Sequence, residues 1–259
     1  MNPVLLSCRD INNPQILVET ESYLLVYKPP KMHSAPGGTT SLAEWCASLF
    51  PEITGILRAT RGAVRGGEHG LLHRLDYETR GLVLVARNQK CFDTLLDEQN
   101  QGKMVKIYGA LVSKAVEKPA GFPEFGEQSL FNENANPMTI KSYFRPFGPG
   151  GREVRPATAG DPGFQKKVKK HAQLYYTEII ENHAAEAPDI RYLRIRLCKG
   201  FRHQIRCHLA WAGCPVLNDP IYGGQKAGAG LLALCAEEIR FIDPATGETA
   251  CFRLPALAA

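Results

Sequence analysis

Three short segments of the chain bring together residue types that can do chemistry. The first is Leu71-Leu72-His73-Arg74-Leu75-Asp76-Tyr77-Glu78-Thr79-Arg80-Gly81-Leu82, where an acid and a base share a polar break between two apolar runs. The second, Lys106-Ile107-Tyr108, offers a cation and a phenol, and the third is Gly200-Phe201-Arg202-His203-Gln204-Ile205-Arg206. An arginine near a carboxylate keeps it ionised and holds it in one orientation. An ionised, oriented carboxylate is what a nucleophile or general base requires. Arg74 is near Asp76 in sequence, and Arg206 is a distant second candidate. Position alone does not decide the matter. A carboxylate in a turn is usually a cap or a surface charge, and a strand tyrosine such as Tyr108 usually packs in a core.

Metal chemistry has little support. The eight cysteines at 8, 46, 91, 198, 207, 214, 235 and 251 contain no C-x-x-C pair, and several lie in apolar runs. They read as free buried thiols of a reducing compartment. His203 and His208 fall on different faces of one predicted helix and make poor co-ligands. No metal and no cofactor is expected. The net charge of +5 suits a polyanionic partner without demanding one. Met1 to Asp10 has no long apolar core of a signal peptide, and no apolar run approaches the roughly 20 residues that span a bilayer. A cytoplasmic protein with no membrane partner is expected.

The elements that must position these residues are mostly strands. Ile16-Leu17-Val18 and Tyr23 to Tyr27 form a predicted hairpin that Pro29 and Pro30 stop. Ser41-Leu42-Ala43-Glu44 is a capping-box pattern opening a short helix before Pro51. Arg58 to Gly70 reads as a loop whose Arg58, Arg61 and Arg65 either contact phosphates or are simply solvated. Gly81 to Arg87 reads as a strand covered on both faces. Asn88 can cap a helix ended by Gly102, and Val105 to Val112 is the next strand. Residues 113–171 look irregular, rich in proline and glycine, and end in Lys166-Lys167-Val168-Lys169-Lys170. Strands follow at Leu174 to Ile180 and Leu193 to Leu197. A helix follows over His203 to Ala212, then late strands at Leu231 to Leu234, at Ile239 to Phe241 and near Phe252. Strands dominate without a βαβ rhythm. The fold class expected is α+β, a single domain on a largely antiparallel or mixed sheet with flanking helices and a central cleft.

Taken together, the three segments resemble the RluA family of RNA pseudouridine synthases. The first follows that family's H-R-L-D-x-x-T-x-G-L pattern, the second its K-x-Y element and the third its G-R-T-H-Q-I-R-x-H element. The hairpin ending in Lys28-Pro29-Pro30 and the run from Gly213 through Asp219, Tyr222 and Gly223 are also similar, as are the closing strands. The resemblance covers about residues 15–256, with 1–14 as an N-terminal extension, 15–257 as the catalytic domain and 113–171 as an inserted arm. No S4 RNA-binding module is expected ahead of it. Three departures stand out. Arg80 replaces a small serine, Phe201-Arg202 replaces Arg-Thr, and Asn218 replaces a glycine.

The resemblance implies the isomerisation of uridine to pseudouridine within ribosomal or transfer RNA, by a monomer that needs no cofactor. It assigns Asp76 as the essential aspartate, Tyr108 as the active-site tyrosine and Arg206 as the basic partner of Asp76. Arg74 matches the arginine that in some members fills the gap left by the extruded base. His73, His203, Gln204 and Lys106 become candidate substrate contacts. Asp76 either adds to carbon 1 of the sugar or promotes elimination from carbon 2. Extruding a base costs a few kcal/mol, and a ring such as Tyr108 stacking on it returns roughly 1–3 kcal/mol. Two other readings are a non-catalytic RNA-binding protein that retains the synthase fold, and a glycosidic-bond hydrolase. The latter needs a second carboxylate, for which Glu78 is the nearest candidate.

Overall fold

The computed structural model describes residues 2–37, 40–60, 63–65, 67–115, 120–126, 130–131, 138–161, 164–167, 172–187, 189–223, 226–227 and 230–257. In chain order the elements are β1 (Val4–Leu5), β2 (Gln15–Glu19), β3 (Tyr23–Lys28), α1 (Leu42–Leu49), β4 (Arg58–Thr60), β5 (Ala63–Arg65), β6 (Arg80–Ala86) and α2 (Gln89–Asn100). They continue with β7 (Val105–Ser113), β8 (Met138–Phe147), β9 (Glu153–Ala157), α3 (Phe164–Lys167), β10 (Tyr175–Ala184), β11 (Ile190–Leu197), α4 (Gln204–Trp211), β12 (Leu234–Ile242) and β13 (Thr249–Arg253). The class is α+β with mixed strand pairing, as expected. The chain divides into two compact units. Unit 1 holds the chain up to Ile107 together with Cys235–Ala256, and unit 2 holds Tyr108–Leu234. No helix among the described residues is long and apolar enough to cross a membrane.

Unit 1 is built around β3 and β6, whose side chains are buried almost without exception. The expected hairpin of β2 and β3 forms, and the Thr20 hydroxyl closes it by accepting the Tyr23 N–H at 2.9 Å. β3 pairs antiparallel with β6, β6 parallel with β12, β12 antiparallel with β13, and β13 parallel with β1. Gly81 is required where β6 meets β12: its φ is +122°, and a Cβ there would lie 2.4 Å from the Ala236 carbonyl oxygen. The Ser41–Glu44 capping box opens α1, and the Asn88 side chain caps α2 by accepting the Cys91 N–H.

Several expectations need correction. The stretch read as a loop over Arg58 to Gly70 contains the β4–β5 hairpin, and Arg61 lies outside the described residues. Of the late strands expected, residues 231–233 lie outside any strand, while Leu234 and Ile239 to Phe241 belong to one strand, β12. Its Glu237 and Glu238, which lie between the expected strands, are both buried, and the Glu238 carboxylate accepts from Arg240 Nε at 2.6 Å. The N-terminal extension contributes the short β1.

In unit 2 the strands β9, β8, β10 and β11 pair antiparallel in that order. The stretch 113–171 is therefore not irregular throughout, since it supplies β8 and β9. Ile140, Phe144, Val154 and Ala157 lie in the core. Pro146 and Pro156 masked the alternation of β8 and β9 in the sequence. Arg155 is buried and holds residues 120–122: its Nε donates to the Ala120 carbonyl at 2.8 Å, and its guanidinium lies 4.7 Å from the Phe122 ring centre. Of the lysine run, Lys169 and Lys170 lie outside the described residues.

Candidate active site

In unit 1 the polar break of the first segment is a fixed turn. The Asp76 carbonyl accepts the Thr79 N–H at 3.1 Å. Ser34 clamps the preceding residue from both sides. Its hydroxyl donates to the Leu75 carbonyl at 2.8 Å and accepts the Leu75 N–H at 2.9 Å. Beneath the turn, Lys28 is fully buried and its ammonium donates to the carbonyls of Pro29 at 2.9 Å, Met32 at 2.7 Å and Tyr77 at 3.3 Å. Burial pulls Lys28 down to about 7, against the negative charges of Asp76 and Glu78, which hold it up. Asp76 is half-buried at this turn, with the Lys28 charge within electrostatic reach.

The other candidates of unit 1 take distinct places. The Arg74 side chain is 65% exposed, and among the described residues its ion-pair contact is a long one of 3.7 Å to Glu68, so it has room to move. His73 accepts the Leu84 N–H on Nε2 at 3.3 Å, which puts its proton on Nδ1, an atom with no hydrogen-bond partner among the described residues. Burial, then the charges of Lys106 and Arg58, push its pKa well below the usual histidine range. Lys106 is buried and reaches Gln99 Oε1 at 3.4 Å, while Gln99 donates to the Leu72 carbonyl at 3.1 Å. Arg58 donates to the Leu71 carbonyl at 2.7 Å and pairs with Glu68 at 2.6 Å. The Arg80 charge lies within electrostatic reach of the Cys235 thiol and of Tyr27.

In unit 2 the third segment enters α4 through His203, whose φ of +54° is left-handed. Arg206 is fully buried and forms a two-pronged ion pair with Asp219, Nε to Oδ2 and Nη2 to Oδ1, both at 2.8 Å. Asp219 Oδ1 also accepts the N–H groups of Ile221 at 2.9 Å and Tyr222 at 3.0 Å. The Tyr222 hydroxyl reaches His203 Nδ1 at 3.2 Å. A planar guanidinium held by two parallel bonds has one orientation. Gln204 is buried. Its Oε1 accepts the Phe201 N–H at 3.0 Å, and its Nε2 donates to the Tyr176 carbonyl at 2.8 Å and the Thr177 hydroxyl at 3.1 Å. Tyr108 is buried on β7. His208 is bonded to Ser142 and Thr177 at 2.8 Å each, and burial lowers its pKa to about 3.

Residues 22–211 match the family described as RNA pseudouridylate synthase. The chain belongs to this family. It is 30% identical over 234 residues to an uncharacterized RNA pseudouridine synthase of Chloroflexus aurantiacus, covering 88% of this chain and 61% of that one. It is 26% identical over 249 residues to ribosomal large subunit pseudouridine synthase C of Escherichia coli K12, covering 93% of this chain and 66% of the relative. The chain thus spans about three fifths to two thirds of the length of these two relatives. Among solved structures, human RNA pseudouridylate synthase domain containing 1 superposes with a TM-score of 0.61 at 18% identity, covering 98% of this chain and 86% of that one. At that identity the likeness speaks for the fold.

Within this family member, three supporting residues have roles that the sequence does not announce. Ser34 and Lys28 fix the Asp76 turn. Asp219, part of a matching run but without a role there, orients Arg206. Lys28 carries a faint signal, a lysine ending an apolar strand before two prolines. Ser34 carries none, because a serine in a loop is ordinary. Among the described residues no group of three or more His, Cys, Asp or Glu is placed to hold a metal ion.

Proposed function

We infer that this chain isomerises uridine to pseudouridine within RNA, with Asp76 as the essential carboxylate. The observation that carries the reading is the Asp76 turn. A half-buried carboxylate is held by backbone restraints from Ser34, Lys28 and Thr79, with a buried cation beneath it. Both routes open to it, addition at carbon 1 and elimination from carbon 2, require an ionised carboxylate that does not reorient during the reaction. Arg74, exposed beside it, is the side chain free to occupy the vacancy when the base leaves the stack.

Tyr108 is assigned the stacking contact to the extruded uracil and Arg206 the cationic role, both by match to the family motifs. The buried Asp219 pair supports the second assignment by fixing the plane of the guanidinium. Ribosomal or transfer RNA is the proposed target. The Escherichia coli relative is named for the large ribosomal subunit, which favours ribosomal RNA. The protein is proposed to act as a cytoplasmic monomer, and the lysine run ending residues 113–171 to grip RNA phosphates.

The test is to incubate the purified chain with unmodified ribosomal and transfer RNA and to map pseudouridine at nucleotide resolution. New pseudouridine at discrete positions supports the reading. Release of free uracil would make the protein a hydrolase, and bound but unaltered RNA would make it a binding protein.

A further inference from the structure

A column of stacked rings runs from the core of unit 2 to its surface. His208 and Phe144 stack with centroids 4.9 Å apart, and Phe144 and Phe201 stack at 4.9 Å with planes only 4° from parallel. Phe144 thus packs against both rings. Exposure rises along the column, from 0% at His208 through 7% at Phe144 to 37% at Phe201. Tyr175 braces Phe201 from the side at 5.0 Å. The column therefore ends in a ring whose outer part faces solvent.

This end is rigid and flanked by charge. Phe201 and Gln204 hold each other reciprocally, the Phe201 N–H on Gln204 Oε1 at 3.0 Å and the Gln204 N–H on the Phe201 carbonyl at 3.1 Å. The same Gln204 amide is anchored in β10 through Tyr176 and Thr177. Lys199 and Arg202 stand on either side of Phe201 in sequence and both are exposed. Arg202 is directed toward the carbonyls of Gly151 and Glu153, which fixes the loop on its far side. An exposed apolar side chain alone would mean little. Here the ring is flat, pre-stacked, held by its backbone and flanked in sequence by exposed cations. That combination binds unpaired nucleobases, whose faces stack on aromatic rings while their phosphates meet lysine and arginine.

We propose that Phe201 is a stacking platform for an unpaired base of the RNA substrate, and that Lys199 engages the adjoining phosphate. The inference rests on the proposed RNA-directed function and adds a second contact to it, outside the carboxylate turn. The base stacks on the exposed Phe201 ring, as Phe201 itself stacks on Phe144. Phe201 stands where the family motif has arginine, so the aromatic face changes how this chain selects RNA while leaving Asp76 untouched.

The experiment measures affinity for a short fluorescein-labelled oligouridine, which needs no isomerisation to report. Phe201→Ala should raise Kd at least about fivefold, the lower end of what one base–aromatic stack contributes, with the salt slope unchanged. Lys199→Gln should lower that slope by about 0.7, one phosphate contact on a single strand. Should the alanine variant fold poorly, Phe201→Trp keeps the plane and adds a reporter. It should bind within about twofold of wild type, and its fluorescence should be quenched by RNA beyond the quenching seen in wild type. A folded alanine variant with wild-type affinity, a tryptophan variant that binds without added quenching, or a wild-type chain that fails to bind oligouridine would each overturn the platform. Pseudouridine formation is scored separately. Its absence with Phe201-dependent binding intact strikes the proposed activity alone, and its presence with Phe201-independent binding strikes the platform alone.

Discussion

Changing Asp219 to asparagine should destabilise unit 2 far more than a conservative exchange normally does. Asp219 and Arg206 are both fully buried, and the carboxylate receives two guanidinium bonds at 2.8 Å and two backbone N–H groups at 2.9 and 3.0 Å. Arginine cannot shed its proton in response. The variant therefore keeps a buried cation and loses its counter-charge, and the new amide nitrogen opposes guanidinium N–H with N–H. Breaking one side of such a pair costs about 3–5 kcal/mol. For a chain of this size each kcal/mol moves the melting midpoint by about 2–4 °C, so the shift should be about 6–20 °C downward. Calorimetry or urea melts read this directly. The double variant Arg206→Met with Asp219→Leu removes the cation together with its counter-charge, so its main remaining cost is the loss of the acceptor for the Ile221 and Tyr222 N–H groups. It should melt nearer to wild type than Asp219→Asn does, yet remain inactive on RNA. An Asp219→Asn protein melting within about 2 °C of wild type would refute the reasoning, because that is below the effect of a single kcal/mol.

Three further outcomes follow from the same structure. Asp76→Asn should abolish pseudouridine formation with fold and RNA affinity nearly unchanged; retention of more than about a tenth of the wild-type single-turnover rate, a barrier change under ~1.4 kcal/mol, would remove Asp76 from its role. Lys28 titrates near 7 when folded and near 10.4 when unfolded, so the unfolded chain holds the extra proton in between and stability from this group rises with pH across that window and is lost below it. Urea melts should show wild type gaining on Lys28→Met by up to about 1.4 kcal/mol per pH unit from pH 7 to 10, and a difference flat in pH would contradict this. Changing Lys166, Lys167, Lys169 and Lys170 to glutamine should lower the salt slope of RNA binding by about 0.7 to 0.9 for each phosphate no longer engaged; an unchanged slope with unchanged affinity leaves them a solvated patch.

The strands and caps that obey simple periodicities are legible in the sequence. The apolar run of β6, the hairpin of β2 and β3, the Ser41 capping box and the Asn88 cap each follow from local rules and form as expected. The elements that escape such rules are those where a polar or imino residue occupies a structured position. Glu237 and Glu238 break the pattern of β12, because a buried carboxylate looks like a surface one until its partners are placed, as Arg240 and Arg253 are at Glu238. Pro146 and Pro156 hide the alternation of β8 and β9, although Ile140, Ser142 and Phe144 point inward in regular alternation.

The same physics explains which parts of the site stay hidden. Asp76, Tyr108 and Arg206 emerge from matched motifs, whereas the groups that hold the turn and the guanidinium are defined by burial, which no spacing reveals. Lys28 and Asp219 are charged residues without solvent, and a buried charge is tolerated only where several partners converge on it. Three carbonyls converge on Lys28, and a guanidinium with two N–H groups converges on Asp219. Tyr77 reaches Lys28 from 49 residues along the chain, and Arg206 reaches Asp219 from 13, so each charge is tolerable only once the intervening chain has folded. A carboxylate turn and an arginine plane are thereby rigid in the folded chain and absent from any short fragment of it. That is the physical reason this chemistry needs so much chain to present a few reacting side chains.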